Sequence, residues 1–304
     1  MTTVPIVCPA CRADALGRGD GTSGDDSVVC AACGQRFGQR GAFLDLVIGS
    51  RFPDERDDVA LASEEASSHD TALNFWLPLF RRFWPDGTPS VLSVGCGVGA
   101  DVDLLRGHGI AAMGVDPGSR TRTWARRRSQ DALVLANGQR LPFADGSFDA
   151  AFCGCVYPHV GVVGDSSRPA PDCWSDRAAL AREMVRVLKP GGRIFASSAN
   201  RLCPVDVFHG PTPGAHRPRV NPPWSGFLLS VRDYALLFDA AGAERTTALA
   251  MHGYWGFLSA KKTLKGRMLS LPMKAAFAVV SSRPGAWLRG SCVDPWIVVT
   301  AQKR

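Results

Sequence analysis

A glycine-rich turn between an apolar run and a helical run is the feature that most restricts the fold of this chain. The sequence Val91-Leu-Ser-Val-Gly-Cys-Gly-Val-Gly99 is apolar and ends in three glycines, and residues 100–108 continue with a helical pattern. Gly95 and Gly97 would let the backbone pass close to a ligand, and Gly99 would let the helix approach the strand. Because nucleotide-binding folds in general use such spacing, it predicts an α/β domain but does not specify the ligand.

The following segment alternates strand-like and helical patterns, which is typical of a parallel sheet. Strands are predicted over 110–115, 150–155 and 193–198, and a helix with its terminal turn over 178–192. The first of these strands is followed by Asp116. A carboxylate at that strand end can accept hydrogen bonds from two ribose hydroxyls, so Asp116 is a candidate ribose ligand.

The N-terminal part carries a metal-ligand pattern. Cys8-Pro-Ala-Cys11 and Cys30-Ala-Ala-Cys33 are two C-x-x-C pairs separated by 18 residues. Two such pairs can supply the four thiolates of a tetrahedral structural zinc site. A module of 50 residues has little core of its own, so Zn²⁺ would contribute much of its folding free energy. Two pairs of buried or redox-active cysteines are the alternative, although the βαβ context of a redox pair is missing.

Composition and pattern divide the chain into four parts. We expect a zinc ribbon over 1–50, a polar linker over 51–70, and an α/β core over 71–200 that opens with an amphipathic helix at 71–84. Residues 201–304 would add a loop, further helices and the last strands, the final one over 296–301.

Four motifs in one order resemble the class I S-adenosylmethionine-dependent methyltransferases. They are VLSVGCGVG, GVD, LPFADGSFD and REMVRVLKPGGRI. The resemblance is close over 72–200 and looser towards the end of the chain. It implies a Rossmann-like α/β sheet, S-adenosylmethionine as cofactor, and C-terminal lid helices. The cysteine-rich start is similar to ribbons placed ahead of some bacterial methyltransferases, of the kind found in natural-product or glycan pathways.

The resemblance also implies a set of cofactor-binding residues. Asp116 would hold the ribose, and Asn137 stands where the family usually has Asp facing the adenine amino group. Ser93 departs from the family, which commonly has an acidic residue there, and this weakens the expected contact with the cofactor ammonium. The complete predicted cofactor set is Gly95, Cys96, Gly97, Gly99, Asp116, Asn137 and Gly138.

Catalysis of methyl transfer needs alignment of the acceptor and, for a hydroxyl, a base. His159 follows the strand predicted over 150–155, and Asp206 and His209 follow the strand predicted over 193–198. These three are the candidate catalytic residues, with helix capping, packing or loop structure as their alternative roles. The cysteines outside the two pairs have no ligand spacing and are interpreted as core or incidental.

The positive charge of the chain is concentrated in its last third. Residues 201–304 contain 14 Lys and Arg against 5 Asp and Glu. This excess favours an anionic acceptor, RNA or a membrane surface as the partner of that part, or only a solvated face. Basic residues alternate with apolar ones in the expected lid, at Lys261, Lys262, Lys265, Arg267 and Lys274.

Together these features predict an enzyme that methylates a small molecule, at oxygen, in bacterial specialised metabolism. Methylation of an RNA base, by similarity to bacterial ribosomal RNA guanine methyltransferases, is the first alternative. A protein with this fold that binds a partner without catalysis is the second. We expect a cytoplasmic protein, since the N-terminus lacks a secretory pattern and no apolar run of about 18 residues occurs. The oligomeric state is left open.

Overall fold

The computed structural model describes residues 4–18, 27–49, 57–164, 166–209, 219–222, 224–252 and 264–304, with side chains of the last range from 273 onward. In chain order its strands are β1 (Leu16–Arg18), β2 (Val28–Cys30), β3 (Arg36–Phe37), β4 (Gln39–Arg40), β5 (Phe43–Leu44), β6 (Ser90–Val94), β7 (Ala111–Asp116), β8 (Leu133–Leu135), β9 (Phe148–Gly154), β10 (Leu188–Ala199), β11 (Val205–Asp206), β12 (Arg219–Val220), β13 (Ala243–Ala248) and β14 (Trp296–Lys303). The α-helices are α1 (Asp58–Thr71), α2 (Leu77–Phe83), α3 (Ala100–Gly107), α4 (Cys173–Arg186), α5 (Val231–Ala240) and α6 (Leu264–Ser281).

A seven-stranded sheet forms the centre of the molecule, in the order β13-β14-β10-β9-β6-β7-β8. The five strands from β6 to β10 are parallel, and β14 runs antiparallel to both of its neighbours. This is the Rossmann-like α/β sheet that the sequence predicted. The chain reverses its direction of sheet growth at β6, which lies between β7 and β9. Ligands of open α/β sheets bind at such a reversal, beyond the carboxyl ends of the strands.

Aromatic packing fixes the first helices on the sheet. Trp76 and Phe80 lie with ring centroids 4.8 and 5.3 Å from that of Phe152 on β9, and Phe80 also contacts Phe195 on β10. All four rings are buried. Burial of a large apolar side chain contributes roughly 1.5–3 kcal/mol, so this cluster is a major part of the core. The amphipathic helix expected over 71–84 is therefore present, as a π-helical turn at Ala72–Trp76 followed by α2.

The expected linker over 51–70 is wrong for its second part, because residues 58–70 belong to α1. The Asp57 side chain accepts a hydrogen bond from the Ala60 backbone N–H and caps this helix. The sequence of α1 has no apolar stripe, and accordingly little of this helix is buried. Two ion pairs instead attach α1 to the segment after β7, Glu64 to Arg120 at 3.1 Å and Glu65 to Arg127 at 2.7 Å.

The cysteine-rich start packs directly on the sheet. β1, β2 and β3 form a small antiparallel sheet, and β4 pairs with β5. The segment after β5 runs along β8, where the Leu46 backbone N–H donates to the Leu135 carbonyl at 2.9 Å. Phe43 packs edge-on against Trp124, with ring centroids 5.3 Å apart. Strand β8 is thus covered on its outer side.

One predicted helix boundary is wrong, and two strands of the sheet contain a register irregularity. The helix expected over 178–192 is α4, which begins at Cys173 and ends at Arg186. The segment Leu188-Lys-Pro-Gly-Gly192 starts β10, with a register irregularity between Leu188 and Arg193. At the far edge of the sheet β13 has a similar irregularity between Glu244 and Thr247, where Arg245 adopts φ of 56°. Among the described helices, none combines the length and apolarity needed to span a bilayer.

Candidate functional site

The glycine-rich turn joins β6 to α3 at the carboxyl edge of the sheet. Gly95 and Gly97 have φ of 72° and 53°, in the left-handed region that favours glycine. A Cβ on Gly95 would collide with the Val156 side chain, and one on Gly97 would collide with the Glu64 carboxylate. The turn is therefore approached closely from both sides and can contain only glycine at these two positions.

Asp116 ends β7 and connects the glycine turn to the next loop. One carboxylate oxygen accepts from the Gly97 backbone N–H at 3.0 Å, and the other accepts from the Gly118 N–H at 2.7 Å. The side chain is buried. Each carboxylate oxygen can accept a further hydrogen bond, as two vicinal ribose hydroxyls would require. The structure thus brings Asp116 together with the predicted glycines.

An acidic group that sequence reasoning missed stands next to Ser93. The Ser93 hydroxyl donates a 2.5 Å hydrogen bond to the Asp101 carboxylate, which comes from the first turn of α3. Both side chains are buried, and burial raises the pKa of Asp101 to about 6. The negative charge that Ser93 lacks is thus supplied eight residues later, a spacing that the helical pattern after Gly99 could have indicated.

The remaining predicted cofactor residues lie around the same edge. The Asn137 side-chain oxygen accepts from the Gln139 N–H at 3.0 Å, and its amide nitrogen lies 3.5 Å from the Ile48 carbonyl. Gly138 faces Val94 and Leu180, either of which a Cβ would approach to 2.9 Å. The Cys96 side chain is buried against Gly114 of β7, so only the backbone of Cys96 belongs to the turn surface.

A second group of polar side chains meets beside the turn, where β9 ends. We call Cys155, His159 and His209 the Cys-His-His cluster. Its ligand-type atoms, one from each side chain, all lie within 4.8 Å of one another. Cys155 adopts φ of 56°, which is uncommon for a residue with a side chain, and its Sγ is 3.1 Å from His209 Nε2. Because Val156 contacts Gly95, this cluster adjoins the glycine turn.

The imidazole of His209 is held in place by a buried carboxylate. Asp206 Oδ2 lies 3.0 Å from His209 Nδ1 and accepts from the Arg219 guanidinium at 3.0 Å. Asp206 Oδ1 accepts from the backbone N–H groups of Phe208 and His209. The ring of buried Phe227 packs edge-on against both histidine rings at 5.9 and 5.2 Å.

Charge within the cluster shifts the proton equilibria of its members. Burial opposes ionisation of the thiol, but the His209 charge and hydrogen bonds from both histidines lower the pKa of Cys155 to about 6. Burial also opposes protonation of His209, yet the Cys155 thiolate and Asp206 raise the pKa of His209 to about 10. In this pairing His209 holds a proton, so it is not poised to accept one from a substrate.

Arg177 links the two backbone segments that lie behind the Cys-His-His cluster. This buried guanidinium donates to the backbone carbonyls of Tyr157, Pro158, Gly226 and Phe227 at 2.8–3.3 Å. It thereby ties the turn that carries His159 to the segment that carries Phe227. Nothing in the local sequence of α4 indicates this role, because all four acceptors are backbone atoms distant along the chain.

The structure brings the three candidate catalytic residues His159, His209 and Asp206 into one site, and their catalytic roles stay a prediction. Sequence reasoning missed Cys155, which was interpreted as incidental. The available signal was the Cys155-x-x-x-His159 spacing across the end of β9.

The four paired cysteines also converge. Cys8 Sγ lies 3.8 Å from Cys33 Sγ, and Cys11 Sγ lies 3.6 Å from Cys30 Sγ. A tetrahedron with zinc–sulfur bonds of about 2.3 Å has sulfur–sulfur edges of roughly 3.8 Å. The residues after the two pairs, Arg12 and Gly34, have similar φ of 66° and 74°. Both pairs thus make the same turn, and their geometry fits a four-thiolate zinc site.

The basic lid predicted from sequence is described only in part. Lys261 and Lys262 lie outside the described residues, as do the side chains of Lys265 and Arg267. The C-terminal half of α6 is described and buries Phe277 and Val280.

The sheet, the glycine turn and Asp116 together have the architecture of a Rossmann-like α/β domain. Residues 92–196 match the protein family described as "Methyltransferase domain". The match covers about a third of the chain, and the Rossmann-like sheet around it is the methyltransferase fold that the four motifs predicted.

Named relatives share this segment. The chain is 36% identical over 107 residues to an uncharacterized methyltransferase of Mycobacterium sp. (strain JLS), covering 35% of this chain and 37% of the relative. It is 30% identical over 165 residues to methyltransferase GfsG of Streptomyces halstedii, covering 51% of each. It is 32% identical over 114 residues to demethylmenaquinone methyltransferase of Corynebacterium kroppenstedtii, covering 38% and 43%. The chain thus spans about half or less of the length of these relatives.

Proposed function

We propose that this protein transfers the methyl group of S-adenosylmethionine to the oxygen of a small-molecule acceptor. The observation that carries the proposal is the juxtaposition of the glycine turn and the Cys-His-His cluster at the ends of adjacent parallel strands, β6 and β9. Cofactor would lie on the turn, and the acceptor would lie against the cluster, at the reversal point of the sheet.

The residues around the turn fit the parts of the cofactor. Asp116 would accept from the ribose hydroxyls, and the close approach at Gly95 and Gly97 leaves backbone rather than side chain facing the ligand. Asp101, through its buried carboxylate beside Ser93, would supply the negative charge that attracts the cofactor ammonium. Asn137 would face the adenine, beside the segment that enters from the N-terminal module.

Methyl transfer forms a carbon–oxygen bond at the acceptor as the carbon–sulfur bond of the cofactor breaks. The bonding pair of that bond stays on sulfur, and the charge of the sulfonium is neutralised. The acceptor hydroxyl must also lose its proton, and the Cys-His-His cluster would promote that loss. Alignment of acceptor, methyl carbon and sulfur supplies the rest of the rate, because the sulfonium is already a strong electrophile.

A small acceptor is favoured by the half-buried position of the cluster, between the turn of His159 and the paired strands β11 and β12. The demethylmenaquinone after which the Corynebacterium relative is named is likewise a small molecule. From the resemblance to the methyltransferase family we also propose that the protein acts in the cytoplasm and in bacterial specialised metabolism.

We also propose that Cys8, Cys11, Cys30 and Cys33 hold one structural Zn²⁺. The sulfur–sulfur distances support it, since two independent edges have the length that a zinc tetrahedron requires. Four thiolates leave the ion without an open position, so its role is to stabilise the module that covers β8.

Cofactor binding is tested by calorimetry with S-adenosylmethionine on the wild type and Asp116→Ala. We expect measurable binding, weakened at least about tenfold by the substitution, because hydrogen bonds to a charged group are each worth roughly 1.5–3 kcal/mol. Asp131→Ala removes an exposed carboxylate and serves as the control. Equal affinity of all three proteins would place the cofactor elsewhere and overturn the proposal.

The acceptor class is tested by turnover with labelled cofactor on small hydroxylated metabolites and on RNA. A small acceptor contacts few cations, so its KM should change little between 50 and 200 mM salt, whereas RNA binding would weaken steeply. Methylation of RNA with a steep salt dependence would support the alternative enzyme. Cofactor binding without turnover on either pool would support a binding partner without catalysis.

A further inference from the structure

We propose that Cys155, His159 and His209 bind a second divalent metal ion, Zn²⁺, with an open coordination position that receives the acceptor oxygen. This site is separate from the four-cysteine module and lies beside the glycine turn. It presupposes the methyl transfer proposed above for its chemistry, but the binding of the ion does not depend on it.

The first argument is the donor set and its spacing. One thiolate and two imidazoles are ligands that suit zinc, and three protein ligands plus one exchangeable position are typical of catalytic zinc sites. Tetrahedral geometry requires sulfur–nitrogen separations of roughly 3.5 Å. Cys155 Sγ and His209 Nε2 are 3.1 Å apart, and the three ligand atoms lie within 4.8 Å of one another. Small side-chain adjustments therefore suffice to enclose an ion.

The second argument is the support behind His209. A metal-binding histidine commonly donates its other ring N–H to a carboxylate, which fixes the ring and its tautomer. Asp206 lies 3.0 Å from His209 Nδ1 and leaves Nε2 directed at Cys155. Asp206 is itself fixed by Arg219, whose guanidinium lies 4.7 Å from the Phe227 ring centroid. This chain of contacts fits the outer shell of a metal site.

The third argument is the backbone of Cys155. Its left-handed conformation costs energy in a residue with a side chain, and such strain clusters at functional sites. Its N–H donates to the Ser197 carbonyl at 2.7 Å, so the strained turn is held by β10. Cys155, His159 and His209 are all half-buried, which leaves the site accessible to a ligand.

The ion would give the acceptor hydroxyl a route to lose its proton. Zn²⁺ lowers the pKa of bound water to about 7, and it lowers the pKa of a bound alcohol or phenol in the same way. The hydroxyl proton would leave to solvent, and the metal-bound oxygen would keep the lone pair that attacks the methyl carbon. His209 would then be a ligand and not the base, and its Nε2 proton would be released when the ion binds.

Metal content tests the site without reference to activity. Wild type and Cys155→Ala are incubated with Zn²⁺, freed of excess by gel filtration and analysed for zinc per chain. We expect the variant to hold one equivalent fewer than wild type. Cys203→Ala, which removes a half-buried cysteine outside the cluster, should hold as much as wild type, and His159→Ala should also lose about one equivalent.

Anomalous diffraction at the zinc edge should show a peak bounded by Cys155, His159 and His209. Equal zinc content in wild type and Cys155→Ala, with no anomalous peak there, would overturn the proposal. Calorimetry with S-adenosylmethionine on the same samples separates the two proposals. Loss of one zinc without cofactor binding would refute the methyl transfer alone, and cofactor binding with unchanged zinc would refute the metal site alone.

Discussion

Ser93 on β6 and Asp101 on α3 are joined by a buried 2.5 Å hydrogen bond across the glycine turn. The serine donates and the carboxylate accepts, so the position next to the turn keeps a negative charge although the strand itself carries none. Because Asp101 is buried, its ionised form is disfavoured and the pKa of Asp101 is raised to about 6. The ionised Asp101 side chain therefore destabilises the folded protein until a cationic group of a ligand binds beside it.

Asp101 gives the first prediction. A raised carboxyl pKa stabilises the fold fully below the unfolded value near 4, and this contribution is lost as the pH rises through about 6. Asp101→Asn avoids that loss, so at pH 8 the cofactor-free variant should be more stable than wild type by roughly 2–3 kcal/mol.

The same Asp101→Asn variant should also bind S-adenosylmethionine about tenfold more weakly. Urea unfolding from pH 4.5 to 8 and calorimetry measure both, with exposed Asp86→Asn as control. Parallel stability curves for wild type and Asp101→Asn would contradict the buried-charge account.

Arg177 gives the second prediction, which concerns positioning rather than chemistry. Arg177→Lys retains the charge but cannot reach four separate carbonyl groups. The turn with His159 and the segment with Phe227 should loosen, so kcat should fall by about tenfold or more while cofactor affinity stays unchanged. Exposed Arg182→Lys on the same helix is the control. An Arg177→Lys enzyme with wild-type kcat would show that the hydrogen bonds of Arg177 to these carbonyls are not needed for turnover.

Glu183 gives the third prediction, on stability. Its buried carboxylate accepts from Arg186, from the Leu141 backbone N–H and from Arg12. Glu183→Ala leaves the mostly buried Arg186 without this partner, and loss of one member of a buried pair costs roughly 3–5 kcal/mol. The Arg12 side chain is 58% exposed, so Arg12→Ala should cost less than about 1 kcal/mol. Urea unfolding of the two variants should reveal this contrast, and equal losses would argue against it.

The four-cysteine module gives the fourth prediction. Cys33 is exposed, so Cys33→Ser should act through the metal and not through packing. We expect loss of one zinc per chain and a lower Tm. Cofactor affinity should fall several-fold, because the segment through Leu46 and Ile48 leads from the module past Asn137. Equally exposed Cys292→Ser should change none of these. Zinc loss with undiminished cofactor affinity would mean that the module does not shape the cofactor site.

Local patterns predicted the elements whose contacts are local. The apolar run before Gly95, the carboxylate at Asp116 and the two C-x-x-C pairs each carry their signal within a few residues, and each is placed as expected. The α1 helix was mistaken for a linker because its partners Arg120 and Arg127 are more than fifty residues away. An ion-paired surface helix has no apolar period to reveal it.

The composition of the cluster was likewise hidden by distance along the chain. Cys155 and His159 are neighbours in sequence, but His209 reaches them only because β10 returns the chain alongside β9. The role of Cys155 therefore depends on which residues the pairing of β10 with β9 brings next to it, and this pairing cannot be read from the sequence around Cys155. Asp101 was missed for a different reason, since a carboxylate in the first turn of a helix has an ordinary capping explanation.

The cover over β8 has a consequence for how copies of this chain behave in crowded solution. A sheet edge with unpaired backbone groups is a template for adding strands from other molecules. At one edge, β13 is interrupted by the left-handed residue Arg245, and bulges of this kind discourage such pairing. At the other edge, Leu46 already occupies a Leu135 hydrogen bond. The N-terminal module therefore covers the β8 edge, and we expect a chain without it to expose backbone groups there that can pair with a strand of another molecule.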